Sequence, residues 1–358
     1  PLDFLVVSEH AEYMGIIPLV LNGDPLLADS EAAQRGKANA DAGNPQAFFA
    51  ELIGTANSGV PIAEFQANEI RSSMWETIVD SAERHNEPGT FTTFIGWEWS
   101  SIPDGANLHR VVMMDQGKEA AMKFLPFSLF DSEDPEDLWA WLDKTSEKVG
   151  TDFVAIPHNQ NISKGLMFPI ADSNGDPITG EYAKARMRWE PVVETTQIKG
   201  DSETHPVLSP TDEFADFETY DHAIESGEQG EVPLFGDGFI GSLSEEDRLL
   251  LEENEERVAT AGDYTRSGLL RGLVIEERIG ANPYKFGMIG STDSHTSYSS
   301  AEEDNFWGKM ALDSTPENTL DPSKVVVPPT SYGADMGAAG LAAVWATENT
   351  RESLLDAF

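Results

Sequence analysis

The sequence predicts an α/β protein. Strand-like and helix-like segments alternate along its length, two of the short strands, 4–7 and 153–156, are apolar at every position, and Gly, Pro, Asn and Asp punctuate the joins. Such an order implies a parallel sheet or a barrel whose βα loops gather at one end. At 358 residues, 40% hydrophobic and with eight Trp, the chain is long and apolar enough for one large domain or two smaller ones. Its 63 acidic residues against 23 Lys and Arg leave a net charge of −40, which argues against a nucleic-acid surface or an anionic-membrane surface. There is no cysteine. Disulfides, thiolate zinc sites and a cysteine nucleophile are thereby excluded, and any metal must be held by imidazole and carboxylate.

The first strand spans 4–7 and ends at Ser8-Glu9-His10; a turn at Gly15 follows, and residues 24–45 read as a polar excursion around a short helix. Helical spacing appears over 46–56 and more strongly over 69–85, where Ile70, Met74, Ile78 and Val79 share one side. Pro88-Gly89 stops that helix. The strand 91–97 runs into Trp97-Glu98-Trp99, a loop with Pro103 and Gly105 reverses the chain, and the strand 109–114 begins, rather than ends, on its histidine. A helix from Asp134-Pro135-Glu136 to about Val149 has proline at its first turn. The strand 153–156 ends Pro157-His158-Asn159, residues 161–190 read as a long loop, and the strand 192–198 runs into Lys199. Helical patterns over 244–261 and 264–280 lead to the strand 285–290, which stops at Asp293-Ser294-His295. A last strand over 340–346 precedes a helix capped by Asn349 or Thr350.

Four of the seven histidines, His10, His109, His158 and His295, fall at strand boundaries, and Glu9, Glu98 and Asp293 stand at the same level. Parallel α/β folds collect their sites at the C-terminal ends of strands. Imidazoles and carboxylates without thiolate form the ligand set that suits Zn²⁺, Mn²⁺ or Fe²⁺. If the last strand continues to its motif, the two-residue period puts Asp293 and His295 on one face. The same parity sends Glu194 and Gln197 to opposite faces, without saying which faces inward. His85, His205 and His222 read as structural or solvated.

The segments DFLVVSEH, FIGWEWSS, NLHRVV, AIPHNQN and GSTDSH, in that order, resemble the metal-binding motifs of the PHP (polymerase and histidinol phosphatase) superfamily. WEPVVETTQIKGDSETHP and AVWATENTRESLLDAF resemble more specifically its DUF3604 branch. The resemblance implies one domain over residues 1–358, a distorted (β/α)7 TIM-like barrel with long βα-loop insertions at about 160–191, 201–243 and 299–338. It implies two or three divalent metal ions, Zn, Mn or Fe. Carried over motif by motif, Glu98 resembles a bridging carboxylate, His109 and His158 complete one metal site with Asp293 as a further ligand there, and His10 and His295 bind another metal. Glu98, His158 and Asp293 would be the catalytic residues. The opening H-x-H motif of the family, on its first barrel strand, is expected upstream of Pro1, which leaves the first metal site incomplete here, and Glu9 stands where the family more often has Asp.

The implied activity is metal-dependent hydrolysis of phosphate esters, small molecules whose charge must be met locally against an overall −40. Lys199, Arg186 and Arg188, with Lys164, are the candidate substrate-binding cations. Hydrolysis of another ester or an amide at the same metals, and a metal-binding domain without catalysis, are the alternatives. The sequence has no membrane-spanning run or signal peptide. It opens directly into a strand and closes inside a helix, so both ends read as cut. A targeting segment is expected upstream, and the acidic, cysteine-free composition suits a periplasmic or secreted setting.

Overall fold

The computed structural model describes residues 2–220, 261–296, 298–299, 301–323, 325–327, 331–337 and 340–358. The helix expected over 244–261 lies outside them except at Ala261, as do His222 and the part of the 201–243 insertion from residue 221 onward. The chain forms two compact units, one of Pro1–Gly105, His109–Ala155 and Val344–Phe358, the other of Ala106–Leu108 and Ile156–Ala343.

The first unit is organised on a sheet of order β1-β2-β3-β4, with β1 Phe4–Val6, β2 Thr92–Trp99, β3 Arg110–Met114 and β4 Phe153–Pro157, the first three residues of β4 belonging to this unit. Its longest strand, β2, consists of β-branched and aromatic residues apart from Gly96 and Glu98 and is buried at every position. β1 pairs with β2 in parallel, Phe4 opposite Thr92, whereas β3 returns antiparallel, Ile95 opposite Met114 and Trp99 opposite Arg110. Six helices are described before β4: α1 Ile16–Asn22, α2 Glu31–Asp41, α3 Pro45–Asn57, α4 Asn68–His85, α5 Lys118–Ala121 and α6 Pro135–Val149. Ser30 caps α2 by accepting from the Ala33 N–H at 3.0 Å, and α6 starts on proline and ends on Gly150 in the left-handed conformation. Ile16, Val20, Leu27, Phe48, Leu52 and Phe65 make one apolar cluster. Trp75 of α4 meets Trp97 of β2 edge to face at 5.8 Å and donates its indole N–H to Ala121 O at 2.9 Å. A closing helix, Arg351–Ala357, is capped by Thr350.

The second unit holds α7 Gly180–Trp189, β5 Val192–Gln197, β6 Gly200–Asp201, α8 Thr265–Ile279, β7 Gly287–Gly290, α9 Pro316–Thr319, β8 Val325–Val327 and β9 Ser331–Tyr332. β5 is central in a three-stranded sheet, parallel to β7 and antiparallel to β6, and among the described residues β8 pairs only with β9. Met167, Phe168, Val193, Ile275 and Tyr284 form its apolar cluster.

The (β/α)7 TIM-like barrel is not what folds. Among the described residues there are two small sheets and a two-stranded ribbon, with no closed barrel. A βα barrel needs every strand parallel to the next and a crossover helix between them. The connection over 100–109 contains only a short 3-10 turn, so β3 can return only antiparallel to β2. β6 breaks the rule in the same way. Residues 340–346, expected as a strand, form no ladder. Residues 161–190, expected as a loop, contain α7. No described helix is long and apolar enough to cross a membrane.

Candidate metal centre

Three side chains of the first unit converge where β1, β2 and β3 meet one edge of the sheet. His10 lies just past β1 in a parallel bridge to Glu98, Glu98 is the penultimate residue of β2, and His109 immediately precedes β3. The antiparallel return explains why one histidine begins its strand: the start of β3 and the end of β2 share the same edge. His109 Nδ1 is 2.6 Å from Glu98 Oε1, and His10 Nδ1 is 3.6 Å from the same oxygen. One ligand atom from each residue lies within 4.8 Å of the other two. Strand alternation sends Trp97 and Trp99 to one face, their indoles donating to Phe127 O and Ser132 O at 3.1 Å each, and Glu98 to the other. Gly96 shares the face of Glu98, where a Cβ would come within 2.6 Å of Val112 O, so the close approach of β3 depends on glycine. Glu98 and His109 are largely buried, the His10 side chain is 42% exposed, and Glu9 faces solvent.

Glu12 belongs beside this set. It is buried, accepts from Leu129 N at 2.6 Å and Ser100 N at 3.5 Å through Oε1, and among the described residues its Oε2 has no hydrogen-bond partner. Burial pushes its carboxyl pKa up, against the Leu129 N–H and the nearby His10. His10 also hydrogen-bonds Ser100. The acid two residues beyond the histidine was the available sign of Glu12 in the sequence.

In the second unit, Asp293 is the centre. β7 ends at Gly290, so Asp293 and His295 stand in the loop beyond it, with Asp293 in the left-handed region at φ 49°. The loop still brings them together, Nδ1 to Oδ1 at 3.9 Å. Lys199 pairs with Asp293, Gln197 Nε2 donates to it at 3.0 Å, and Lys309 Nζ is 3.7 Å from it and 2.8 Å from His295 Nδ1. Burial alone would raise the Asp293 pKa; Lys199, Lys309, His295 and His158 outweigh it and hold the carboxylate well below its ordinary range. A ring nitrogen of His158 lies within 4.8 Å of an Asp293 oxygen.

Glu194 and Gln197 both face this cluster. A register shift between Glu194 and Thr196 inserts one residue into β5, and the bulge resets the alternation so that residues three apart share a side. Glu194 is buried, accepts from Asn159 N at 3.3 Å and from Ser291 Oγ, and has its pKa pushed up to about 7. Burial is the main cause and the Asp293 charge adds to it, while His158, Ser291 and Lys199 work the other way. Asn159, Gln160 and Asn161 lock the turn after His158: Asn159 Nδ2 donates to Asn161 Oδ1 at 2.7 Å, Asn161 Nδ2 to Lys199 O at 3.0 Å, and Gln160 to Glu194 O.

A family model described as "Protein of unknown function (DUF3604)" matches residues 1–358. The chain belongs to the DUF3604 family. Comparison with curated proteins and with solved structures gave no match.

The remaining candidates are distributed differently in this DUF3604 chain. Arg186 is 2% exposed, ion-paired with Glu190 at 3.1 Å, donating to Met167 O at 2.8 Å and set over the Tyr284 ring at 4.7 Å. Burial opposes its charge, but Glu190 and its tyrosine neighbours raise its pKa overall. A guanidinium so enclosed has no surface with which to meet a solute. Arg188 is exposed and stacks on Trp189 at 4.3 Å, and Lys164 is half-buried in a left-handed turn. Lys199 therefore stands nearest to the Asp293 cluster, together with Lys309, a lone loop lysine that no sequence pattern marked.

The donor set of His10, Glu98 and His109 in this DUF3604 chain suits a borderline divalent cation. Bonds of about 2.1 Å bring ligand atoms to roughly 3.5 Å from one another, so His10, Glu98 and His109 need side-chain shifts of only about an ångström. The carboxylate between two imidazoles, with the Glu12 Oε2 buried alongside, is donor chemistry that a cation would satisfy.

Proposed function

We propose that this DUF3604 protein is a metal-dependent hydrolase of phosphate esters and that its ligand motifs are those of the PHP superfamily. The observation that carries the reading is the convergence of His10, Glu98 and His109 from three strand termini, with ligand atoms within 4.8 Å of one another. The ordered motifs around His10, Glu98, His109, His158 and Asp293 support the superfamily relationship. Two or three cations, Zn, Mn or Fe, would be held by His10, Glu98 and His109 in the first unit and by Asp293 with His158 and His295 in the second.

When bound, such cations supply a water of lowered pKa and a Lewis acid for a phosphoryl oxygen. The chain's own residues do the rest. Glu98 accepts from the His109 ring at 2.6 Å and fixes it, while His10, 3.6 Å from the same oxygen, is held by its hydrogen bond to Ser100. Glu12 ties the backbone of Ser100 and Leu129, holding the end of β2 in place. Lys199 and Lys309 bring two ammonium groups to Asp293, local positive charge of the kind an anionic ester needs on a chain of net −40. Gln197 orients both partners, donating to Asp293 and accepting from the Lys199 N–H at 2.9 Å.

The test is hydrolysis of a panel of phosphomonoesters and diesters by the native full-length protein, with Zn²⁺, Mn²⁺ or Fe²⁺ and with chelator, alongside elemental analysis. Turnover that chelator removes and metal restores is expected. Metal without turnover of any phosphoester would leave only the metal-binding part of the proposal. Absence of both would overturn it.

A further inference from the structure

Two aromatic side chains stand exposed beside the Asp293 cluster. Tyr298 is 62% exposed and Trp307 is 46% exposed, yet their rings stack on each other at 5.3 Å with 27° between planes. Their loops run side by side in opposite directions. The His295 N–H donates to Lys309 O at 2.8 Å, and three residues on along one loop and two back along the other, Tyr298 meets Trp307. The arrangement is anchored from beneath. Buried Asp313 accepts from the N–H groups of Lys309 and Met310 at 3.0 and 2.7 Å, and Gly308, at φ 74°, lies where a Cβ would fall 2.7 Å from Asp313 O. Trp307 is held by its indole N–H on Asn305 Oδ1 at 3.2 Å, and the Tyr298 N–H donates to Thr296 Oγ1 at 3.3 Å.

One ribbon thus carries, two residues apart, a lysine directed at Asp293 and His295 and a tryptophan with part of its ring open to solvent. Gly308, between them, sits in the left-handed region at φ 74°, so the chain turns there and the two Cα atoms lie at most about 7 Å apart. A ring joined to a phosphoryl group through one or a few bonds falls within that reach. Stacked Trp and Tyr offer rigid planar area that bases and aryl groups cover.

We propose that the Tyr298–Trp307 pair is the binding platform for a planar aromatic ring on the substrate, which makes the esters of this site phosphates of ring-bearing alcohols, aryl or nucleoside. The proposal rests on the phosphoester reading for its reaction, and on the platform itself for its ligand. Trp307→Ala and Trp307→Phe are compared with the wild type on phenyl phosphate, a nucleoside 5′-monophosphate, a sugar phosphate and glycerol phosphate. Trp307→Ala should lower kcat/KM for the two aromatic substrates about tenfold, chiefly through KM, and leave glycerol phosphate unchanged; Trp307→Phe should restore most of the loss. An equal loss on all substrates, or none, overturns the proposal. A loss confined to the sugar phosphate overturns the planar-ring class. Should no phosphoester be hydrolysed, the platform is still decided by fluorescence titration with the same nucleoside monophosphate. Quenching in the wild type that Trp307→Ala lacks sustains it, and no difference between the two sinks it.

Discussion

Replacing Arg186 with methionine removes a guanidinium that is 2% exposed and strands Glu190, also buried, whose carboxylate lies 3.1 Å from it. The same group donates to Met167 O at 2.8 Å and covers the Tyr284 ring at 4.7 Å. Breaking a buried pair from one side costs about 3–5 kcal/mol, because the remaining charge keeps its desolvation penalty and loses its partner. The hydrogen bond and the ring contact fall within that loss, since groups sharing one network do not add. For a domain of about 150–250 residues each kcal/mol moves the Tm by about 2–4 °C, so Arg186→Met should melt roughly 10 °C lower. Arg186→Met with Glu190→Met removes both charges and should regain most of the stability. Urea and thermal unfolding followed by circular dichroism measure both variants. A single variant that unfolds with the wild type while losing affinity for a phosphate ester would refute the reasoning and return Arg186 to the substrate.

Glu98→Gln keeps the shape of the first ligand set but removes its charge, and metal affinity there should fall about 100-fold; equilibrium dialysis with elemental analysis reads it, and wild-type retention would remove Glu98 from the set. In chelated protein, Glu194, raised from the ordinary 4.5 to about 7, gives a stability that is fully present below about pH 4.5 and is lost as pH rises through about 7, by as much as ~3 kcal/mol. Glu194→Gln should flatten that slope between pH 5 and 8 in urea titrations, and an unchanged slope would place its origin elsewhere.

The elements were largely legible and the closure was not. Apolar runs such as Phe153–Pro157 and the periodicity of Asn68–His85 mark their elements without help from the fold. The barrel failed at residues 100–109, too short for a crossover helix, a sign that was present in the sequence and that the alternation of the other elements obscured. α7 was hidden because the face it buries includes Arg186, a charge at a position where periodicity expects an apolar residue. At the site, strand-end histidines and acids could be found because strand ends carry a positional meaning. Lys309 could not be found, since a loop lysine gains its meaning only from folding back to His295. Glu194 and Gln197 were visible as residues, but parity could not place both inward.

The bulge that does so makes counting part of the chemistry. On either side of it the inward positions follow opposite parity, so deleting one residue between Val193 and Lys199 would keep one of the two side chains inside and turn the other out. A relative of this chain could carry every motif and still lack either the buried acid or the amide that steers Asp293. The length of this segment, as much as its letters, therefore records whether the second unit's site is whole.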